Sequence, residues 1–426
     1  MVKDAKIILK KVLEKIEPPK EDIDYIQKYL KNFLKDLKYK IKKHKIKVEV
    51  FVGGSFAKKT LIKKDNYDVD VFLRFDKKYD DKISEITKDL LKSVEDVTII
   101  HGSRDYFRIK ANPHFSLELI PVIKVKNPKE SKNITDLSYS HVKYINTKIK
   151  DKKILDEIKI LKAFCYANGC YGAESYVMGF SGYAIELLII NFKSFTKFLK
   201  EVVKLKEKLV IDIEKDYKNR AEILMDLNSS KLHSPIILID PTFKQRNAVA
   251  ALSEETFEKF KIAARNFLKN PSIQDFEISE IDLGKIKKDA EKKKTEFVRI
   301  EIETDKQEGD IAGSKLLKFS KQLDGEIKKL FEIKNSGFNY NGEKKAELFF
   351  VVKPKKEIIR GGPKKEDVEN VKKFKAEHKN TFEKKGRIFS KEKVDKNLKK
   401  YLEDWKDKNK KKIREMYVEK LEIKKD

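Results

Sequence analysis

The chain has 426 residues, with 98 Lys+Arg against 70 Asp+Glu for a formal net charge of +28, enough length for about three domains with a core in each. That balance points to a polyanionic partner, nucleic acid first, although lysine outnumbers arginine so heavily that a lysine-rich proteome is the bland alternative. No apolar run approaches a membrane span, and only two cysteines, Cys165 and Cys170 in one apolar stretch, speak against a disulfide framework or a zinc site and for reduced core thiols in a cytoplasmic protein.

The N-terminal segment reads as an acid-containing amphipathic helix over 3–16, not a signal peptide. Pro18-Pro19 separates it from a second helix over 21–43, whose apolar stripe is Ile23, Ile26, Leu30, Phe33, Leu34 and Leu37. Residues 47–52 alternate polar and apolar, which predicts a strand ending at Gly53-Gly54. Glycines at 53 and 54 let the backbone turn sharply and bring its N–H groups to an anion, and Ser55 opens a short helix whose N-terminus favours negative charge.

A second strand through Val69-Asp70-Val71-Phe72-Leu73 has period 2, so Asp68 and Asp70 share a face roughly 7 Å apart. Hard divalent ions fit such a pair, because Mg²⁺ takes carboxylate oxygens together with substrate phosphates. Glu118, a lone acid in the apolar run Phe115–Ile120, is the expected third carboxylate. Taken singly these features have ordinary readings: a turn, a solvated sheet face and an edge glutamate. Their order, strand, Gly-Gly-Ser, basic helix, Asp-x-Asp strand and later strand acid, resembles the polymerase-β-like nucleotidyltransferase superfamily.

A helical pattern over 82–93 and strands near 97–101, 106–110 and 116–122 complete an α+β palm with helices on one face and acids on the other, ending near 133–140. The stretch 141–250 reads as helical. It carries Asn168-Gly169-Cys170-Tyr171-Gly172-Ala173-Glu174, then Gly179-Phe180-Ser181-Gly182-Tyr183, a buried helix over 184–192, and Asp240-Pro241 followed by Arg246-Asn247. Farther on come a helix near 254–268, a strand pair at 296–302 and 346–352, and an amphipathic helix near 315–331. The last sixty or so residues are rich in Lys-Lys pairs with Phe374, Phe382, Phe389, Tyr401 and Trp405 among them. That composition suits phosphate tracking with base stacking, or a solvated helical end with aromatics on its core side.

From the palm to the last third, these motifs resemble the archaeal class I CCA-adding enzymes. The resemblance implies a multidomain α+β chain: a polymerase-β-like nucleotidyltransferase palm over 1–140, a helical neck over 141–250, and a basic α/β RNA-binding body and tail over 251–426. It implies addition of C, C and A from CTP and ATP to the 3′ end of tRNA, with two Mg²⁺ ions on Asp68, Asp70 and Glu118. Gly54, Ser55, Lys58, His141, Lys162 and Tyr171 would contact the triphosphate, and Arg246 the incoming base. Two positions depart from the family pattern. Glu118 stands where Asp is common, and Lys58 where Arg is often found, which keeps the charge but loses a planar fork. A pairing of Arg246 with Asp240 is the structural alternative for that residue. Rival readings are a poly(A) polymerase or oligoadenylate synthetase-like enzyme, and a non-catalytic RNA-binding protein on the same scaffold; a homodimer is left open.

Overall fold

The computed structural model describes residues 2–102, 104–278, 281–394 and 397–424, with side chains from residue 5 onward. The chain divides into two compact units, Met1–Ser279 and Glu280–Asp426. The first opens with α1 (Val2–Ile16) and α2 (Lys20–Lys43), parted by the two prolines as expected. Pro19 sits at the α2 N-cap, where its fixed φ (−52°) is compatible with starting the helix. A sheet follows from β1 (Val48–Val52), the single turn α3 (Gly54–Ala57), β2 (Tyr67–Phe75), α4 (Ile83–Leu90), β3 (Val97–Ile100), β4 (Tyr106–Asn112) and β5 (Phe115–Ile123). Strand order is β1-β2-β5-β4-β3, with β2 and β5 parallel and the other pairs antiparallel.

Alternation along β2 and β5 decides which face is which. Val69, Val71, Leu73, Leu117 and Leu119 are fully buried in a core that includes Ile26, Leu30 and Leu37 of α2 and Leu90 of α4. With period 2, the residues between them, Asp68, Asp70, Ser116 and Glu118, stand on the opposite face. The palm expected from the sequence is present, and the acids lie on the side away from α2.

A second core is helical: α5 (Ser138–Lys148), α6 (Lys152–Ala167), α7 (Gly182–Phe192) and α8 (Phe195–Lys204). A small sheet joins it, from β6 (Leu209–Ile211), α9 (Arg220–Asp226), β7 (Ile236–Asp240) and β8 (Phe243–Asn247), and α10 (Glu254–Lys269) closes the unit. Helix α10 falls beyond position 250, where the sequence pattern suggested a change of character. Its apolar face, Phe257, Phe260, Ala264 and Phe267, packs instead with Phe164, Phe180, Phe195 and Phe198 of this core. Edge-to-face aromatic contacts bind the cluster, with Phe164 5.3 Å from Phe195 and 5.7 Å from Phe260 between centroids.

The second unit contains α11 (Leu283–Lys292), β9 (Glu296–Glu303), α12 (Asp310–Leu330), β10 (Phe331–Tyr340), β11 (Lys345–Pro354), β12 (Glu357–Lys364), α13 (Val368–Glu377), β13 (Thr381–Lys384), β14 (Arg387–Lys393), α14 (Leu398–Lys408), α15 (Lys410–Glu415) and β15 (Lys420–Ile423). The strand pair expected at 296–302 and 346–352 is β9 with β11, in a four-stranded antiparallel sheet ordered β10-β11-β9-β15. The lysine-rich end divides in two. Strands β12, β14 and β13 form a small sheet beside α13. Leu398, Leu402 and Trp405 of α14 belong to the core under the four-stranded sheet, so Trp405 is a packing residue.

No described helix is long and apolar enough to cross a membrane, and Cys165 and Cys170 are buried free thiols. Phe164 touches four other phenylalanines and is fully buried. Phe164→Ala should therefore lower unfolding stability by about 3–5 kcal/mol, read from the midpoint of denaturant unfolding.

Candidate active site

Asp70 is the most constrained acid of the sheet face. Parallel pairing sets it directly opposite Glu118, and sets Asp68, which is exposed, opposite Ser116. Burial raises the Asp70 carboxyl to about 6, with Lys58 pulling it down and Asp68 pushing it up. Glu118 is raised to about 7 by burial and by Asp70 and Asp68, against the opposing charge of Arg108. Arg108 lies opposite Glu118 on β4 and donates from Nε and Nη2 to its Oε1 at 3.1 and 2.9 Å. Glu118 is thereby engaged by β4, and among the described residues no three His, Cys, Asp or Glu side chains converge on a point that could hold a metal ion. The donor chemistry nevertheless fits a divalent cation. Hard carboxylate oxygens are on one face, and burial and mutual repulsion are what a bound cation would relieve.

The Gly-Gly turn lies against this acid. The Gly53 N–H donates to the Asp70 carbonyl at 2.8 Å, and Gly54 has φ +60°. A Cβ on Gly54 would fall 1.6 Å from Asp70 Oδ2, so no other residue fits without displacing the carboxylate. Ser55 follows in α3, which is one turn long, so the helix-terminus contribution expected there is small. The Thr60 N–H closes the loop onto the Ser55 carbonyl at 2.9 Å.

Beyond the turn, Lys58 and Lys162 are buried, 9% and 4% exposed. Lys58 Nζ donates to Glu186 Oε2 at 2.7 Å, Thr60 Oγ1 donates to Glu186 Oε1 at 3.0 Å, and Lys162 Nζ donates to the Thr60 carbonyl at 3.1 Å. Burial pulls the Lys162 ammonium down to about 7, opposed by Glu186 and reinforced by Lys64 and Lys58. Tyr171 stacks on Tyr166 at 3.9 Å, and Lys162 Nζ is 5.7 Å from its ring centroid.

His141 and Arg246 meet elsewhere, on Asp240. His141 donates from Nε2 to Asp240 Oδ2 at 3.1 Å, Arg246 from Nη1 to the same oxygen at 2.7 Å, and Tyr183 and Thr242 to Oδ1 at 2.9 and 2.8 Å. Burial works to raise the Asp240 carboxyl, but the His141 hydrogen bond and the Arg246 charge hold it well below the usual range. The His141 ring stacks on Tyr183 at 4.0 Å, and burial lowers its pKa despite Asp240. Arg246 also borders a cavity of about 390 Å³ with Ala173, Gly179 and Ser181 of the two glycine-bearing motifs. The structure thus forms three adjoining groups: acids with the Gly-Gly turn, lysines around Glu186, and the Asp240 cluster. The Lys58 charge is felt in all of them, at Asp70, Lys162 and His141. Sequence reasoning missed Arg108 and Glu186. Glu186 had a signal, as the one carboxylate inside the apolar run 184–192.

Residues 156–277 match the family model for the second domain of tRNA nucleotidyltransferase. The chain is 40% identical over 246 residues to the CCA-adding enzyme of Nanoarchaeum equitans, covering 57% of this chain and 60% of that one. It is 32% identical over 287 residues to that of Saccharolobus islandicus (66% and 64% covered), and 31% over 280 residues to that of Methanocaldococcus jannaschii (63% and 61%). The chain is related to the archaeal CCA-adding enzymes. It spans less than two thirds of the length of each of these relatives. Among solved structures, a cytoplasmic RNA terminal U-transferase matches at TM-score 0.51 and 14% identity over 66% of this chain and all of that one, a likeness of fold. The Cid1 terminal uridylyl transferase matches at TM-score 0.50 and 12% identity, over 66% of this chain and 99% of that one. The multidomain α+β class and the resemblance expected from the motifs are both borne out.

Because Asp70 and Glu118 have folded pKa values raised above their unfolded values, they stabilise the fold below about pH 4, and that contribution is lost as pH rises through about 6 and 7. In metal-free buffer, the melting temperature of Asp70→Asn/Glu118→Gln relative to the parent should therefore rise between pH 5 and 8. A difference that stays flat with pH would show that the two carboxyls titrate normally.

Proposed function

We propose that the chain is a template-independent nucleotidyltransferase that adds C, C and A from CTP and ATP to the 3′ end of tRNA, releasing pyrophosphate. The observation that carries this reading is the contact of the Gly53-Gly54 turn with Asp70, which puts a tight glycine turn beside the acids of the sheet face and next to buried lysines. A site for triphosphate and a site for divalent cations are adjacent there, as attack on an α-phosphate requires.

Asp68 and Asp70, with Glu118 once it leaves Arg108, would hold two Mg²⁺ ions, which when bound supply an activated 3′-hydroxyl and a neutralised leaving group. The chain's own contribution is placement. The Gly54 and Ser55 region receives phosphate oxygens on backbone donors, Lys58 and Lys162 bring charge to the β- and γ-phosphates, and Tyr171 supports Lys162 from one side. His141 and Arg246 are oriented through Asp240, and Arg246 presents its guanidinium at the cavity below the glycine motifs, where a base edge would be read. We assign 1–140 to a catalytic head and the helices from 141 to a neck that extends through α10, because that helix shares the neck core. The remainder, with its lysine-rich sheet β12-β14-β13, grips tRNA through phosphates. The two buried free thiols suit a cytoplasmic setting.

The deciding experiment offers purified protein a tRNA lacking its 3′ terminus and an unstructured RNA, with each nucleoside triphosphate singly and together, and sequences the products. Addition of C, C and A to the tRNA alone supports the reading; a homopolymer on either RNA identifies a polymerase of the poly(A) or poly(U) kind instead. Asp68→Asn and Asp70→Asn should each abolish both C and A addition while tRNA affinity stays within about twofold. Loss of only one addition would mean two separate sites.

Gly54→Ala should fold with a loss of about 1–2 kcal/mol for a left-handed alanine. It should nonetheless cut turnover by about a hundredfold, because the new methyl displaces the Asp70 carboxylate. Arg246→Ala should bring efficiency with CTP or ATP toward that with UTP. Equal slowing on all four nucleotides would make Arg246 a partner of Asp240 and nothing more.

A further inference from the structure

Glu186 is 1% exposed, on a helix whose neighbours Ile185, Leu187 and Leu188 are fully buried. A carboxylate in such a place is costly unless each oxygen is paired, and both are paired to the head: Oε2 with the Lys58 ammonium and Oε1 with the Thr60 hydroxyl. Lys162, from α6, reaches the same loop at the Thr60 carbonyl. Lys64 lies over the Tyr166 ring at 4.8 Å, and Tyr166 in turn stacks on Tyr171. Buried ammonium groups from head and neck therefore converge around the one buried carboxylate that pairs with Lys58.

Two features separate this arrangement from an ordinary structural ion pair. The partners are 128 residues apart and tie the end of the Gly-Gly-Ser loop to the neck, so the pair sets where the Lys58 ammonium stands relative to the turn amides. Lysines also gather around this carboxylate: Lys58 donates to it, and Lys162 reaches the loop carbonyl of Thr60, whose hydroxyl donates to it. Burial is the main cause that depresses Lys162, with Lys64 and Lys58 adding repulsion against the opposing charges of Glu186 and Asp70.

We propose that Glu186 is the resident counter-ion of a triphosphate subsite: a positioning residue that holds Lys58 and Thr60 in the free protein and competes with incoming phosphate for the Lys58 ammonium. This rests on the reading of the site as one that binds a nucleoside triphosphate. On arrival of the anion, phosphate oxygens take over the charge of Lys58, while the second Glu186 oxygen stays on Thr60 and keeps the loop in register with the neck. Removing the charge of Glu186 but keeping its shape should then leave the empty site short of negative charge and the filled site nearly unaffected.

The test measures melting temperature of the full chain in EDTA, with and without inorganic tripolyphosphate or CTP, for the parent and for Glu186→Gln. The variant should melt lower than the parent without anion. Its rise in melting temperature on adding either anion should be larger, corresponding to roughly fivefold tighter binding. A purely structural glutamate would lower both melting temperatures alike, and a rise equal to or smaller than the parent's overturns the proposal. If the parent gains nothing from tripolyphosphate or CTP, the nucleotide reading fails and this one with it. Should Glu186→Gln not fold, Lys58→Met/Glu186→Gln removes both buried charges; it should fold and bind tripolyphosphate at least about fivefold more weakly than the parent. Undiminished binding by that double variant also overturns the proposal.

Discussion

Asp70 is hemmed in on two sides. Its backbone carbonyl accepts from Gly53, its carboxylate occupies the space a side chain at 54 would need, and Glu118 stands opposite on the neighbouring strand. That close approach ties the glycine turn to the acidic face of the strand, and much of the first unit is organised to keep it. The apolar residues of β2 anchor the strand from the other face, and α2 covers them. A shift of β2 by one residue would exchange Asp68 and Asp70 for Val69 and Val71, so the hydrophobic pattern fixes the register of the acids as firmly as it fixes the core.

The surrounding charges are costly to the empty protein. Acids of one sign are gathered on the sheet, lysines are buried beside them, and each group carries a partner that offsets part of the cost: Arg108 for Glu118, Glu186 for Lys58, Arg246 and His141 for Asp240. Buried pairs of this kind contribute little to stability compared with well-packed apolar residues, so their presence is better explained by what they present to a ligand. The aromatic cluster of the neck, by contrast, joins Phe164, Phe180, Phe195, Phe198, Phe260 and Phe267 and supplies packing that the charged site does not.

Much of this was legible in the sequence where a single period dominates. The palm strands alternate cleanly, so β1, β2 and β5 and the shared face of Asp68, Asp70 and Glu118 follow from it. The glycine motifs marked Tyr171, and the pairing of Arg246 with Asp240, six positions apart, was open to a local reading. That His141 shares the same acid was not, because it lies 99 positions from Asp240 and no local pattern encodes the meeting. Sequence alone also missed the strands β12 to β14, because their alternation is drowned by lysine and glutamate on both faces and few of their side chains are buried. Trp405 read as a possible stacking residue for RNA because composition shows an aromatic among lysines but not the core it faces.

The sheet of the second unit has a consequence for how the protein is made. Strand β9 lies between β11 and β15, and its residue Glu303 pairs with Lys420, 117 positions later. As the chain leaves the ribosome, one edge of β9 stays open until that last strand emerges, and open edges invite pairing with other chains. The outward residues of β9 answer this: Arg299, Glu301 and Glu303 put charge along the edge while it waits. The same side chains end in ion pairs with Glu347, Lys424, and Lys345 and Lys420 once the sheet is complete. Charges that settle the finished sheet thus also act as guards during synthesis, when the unit is most exposed to misassembly.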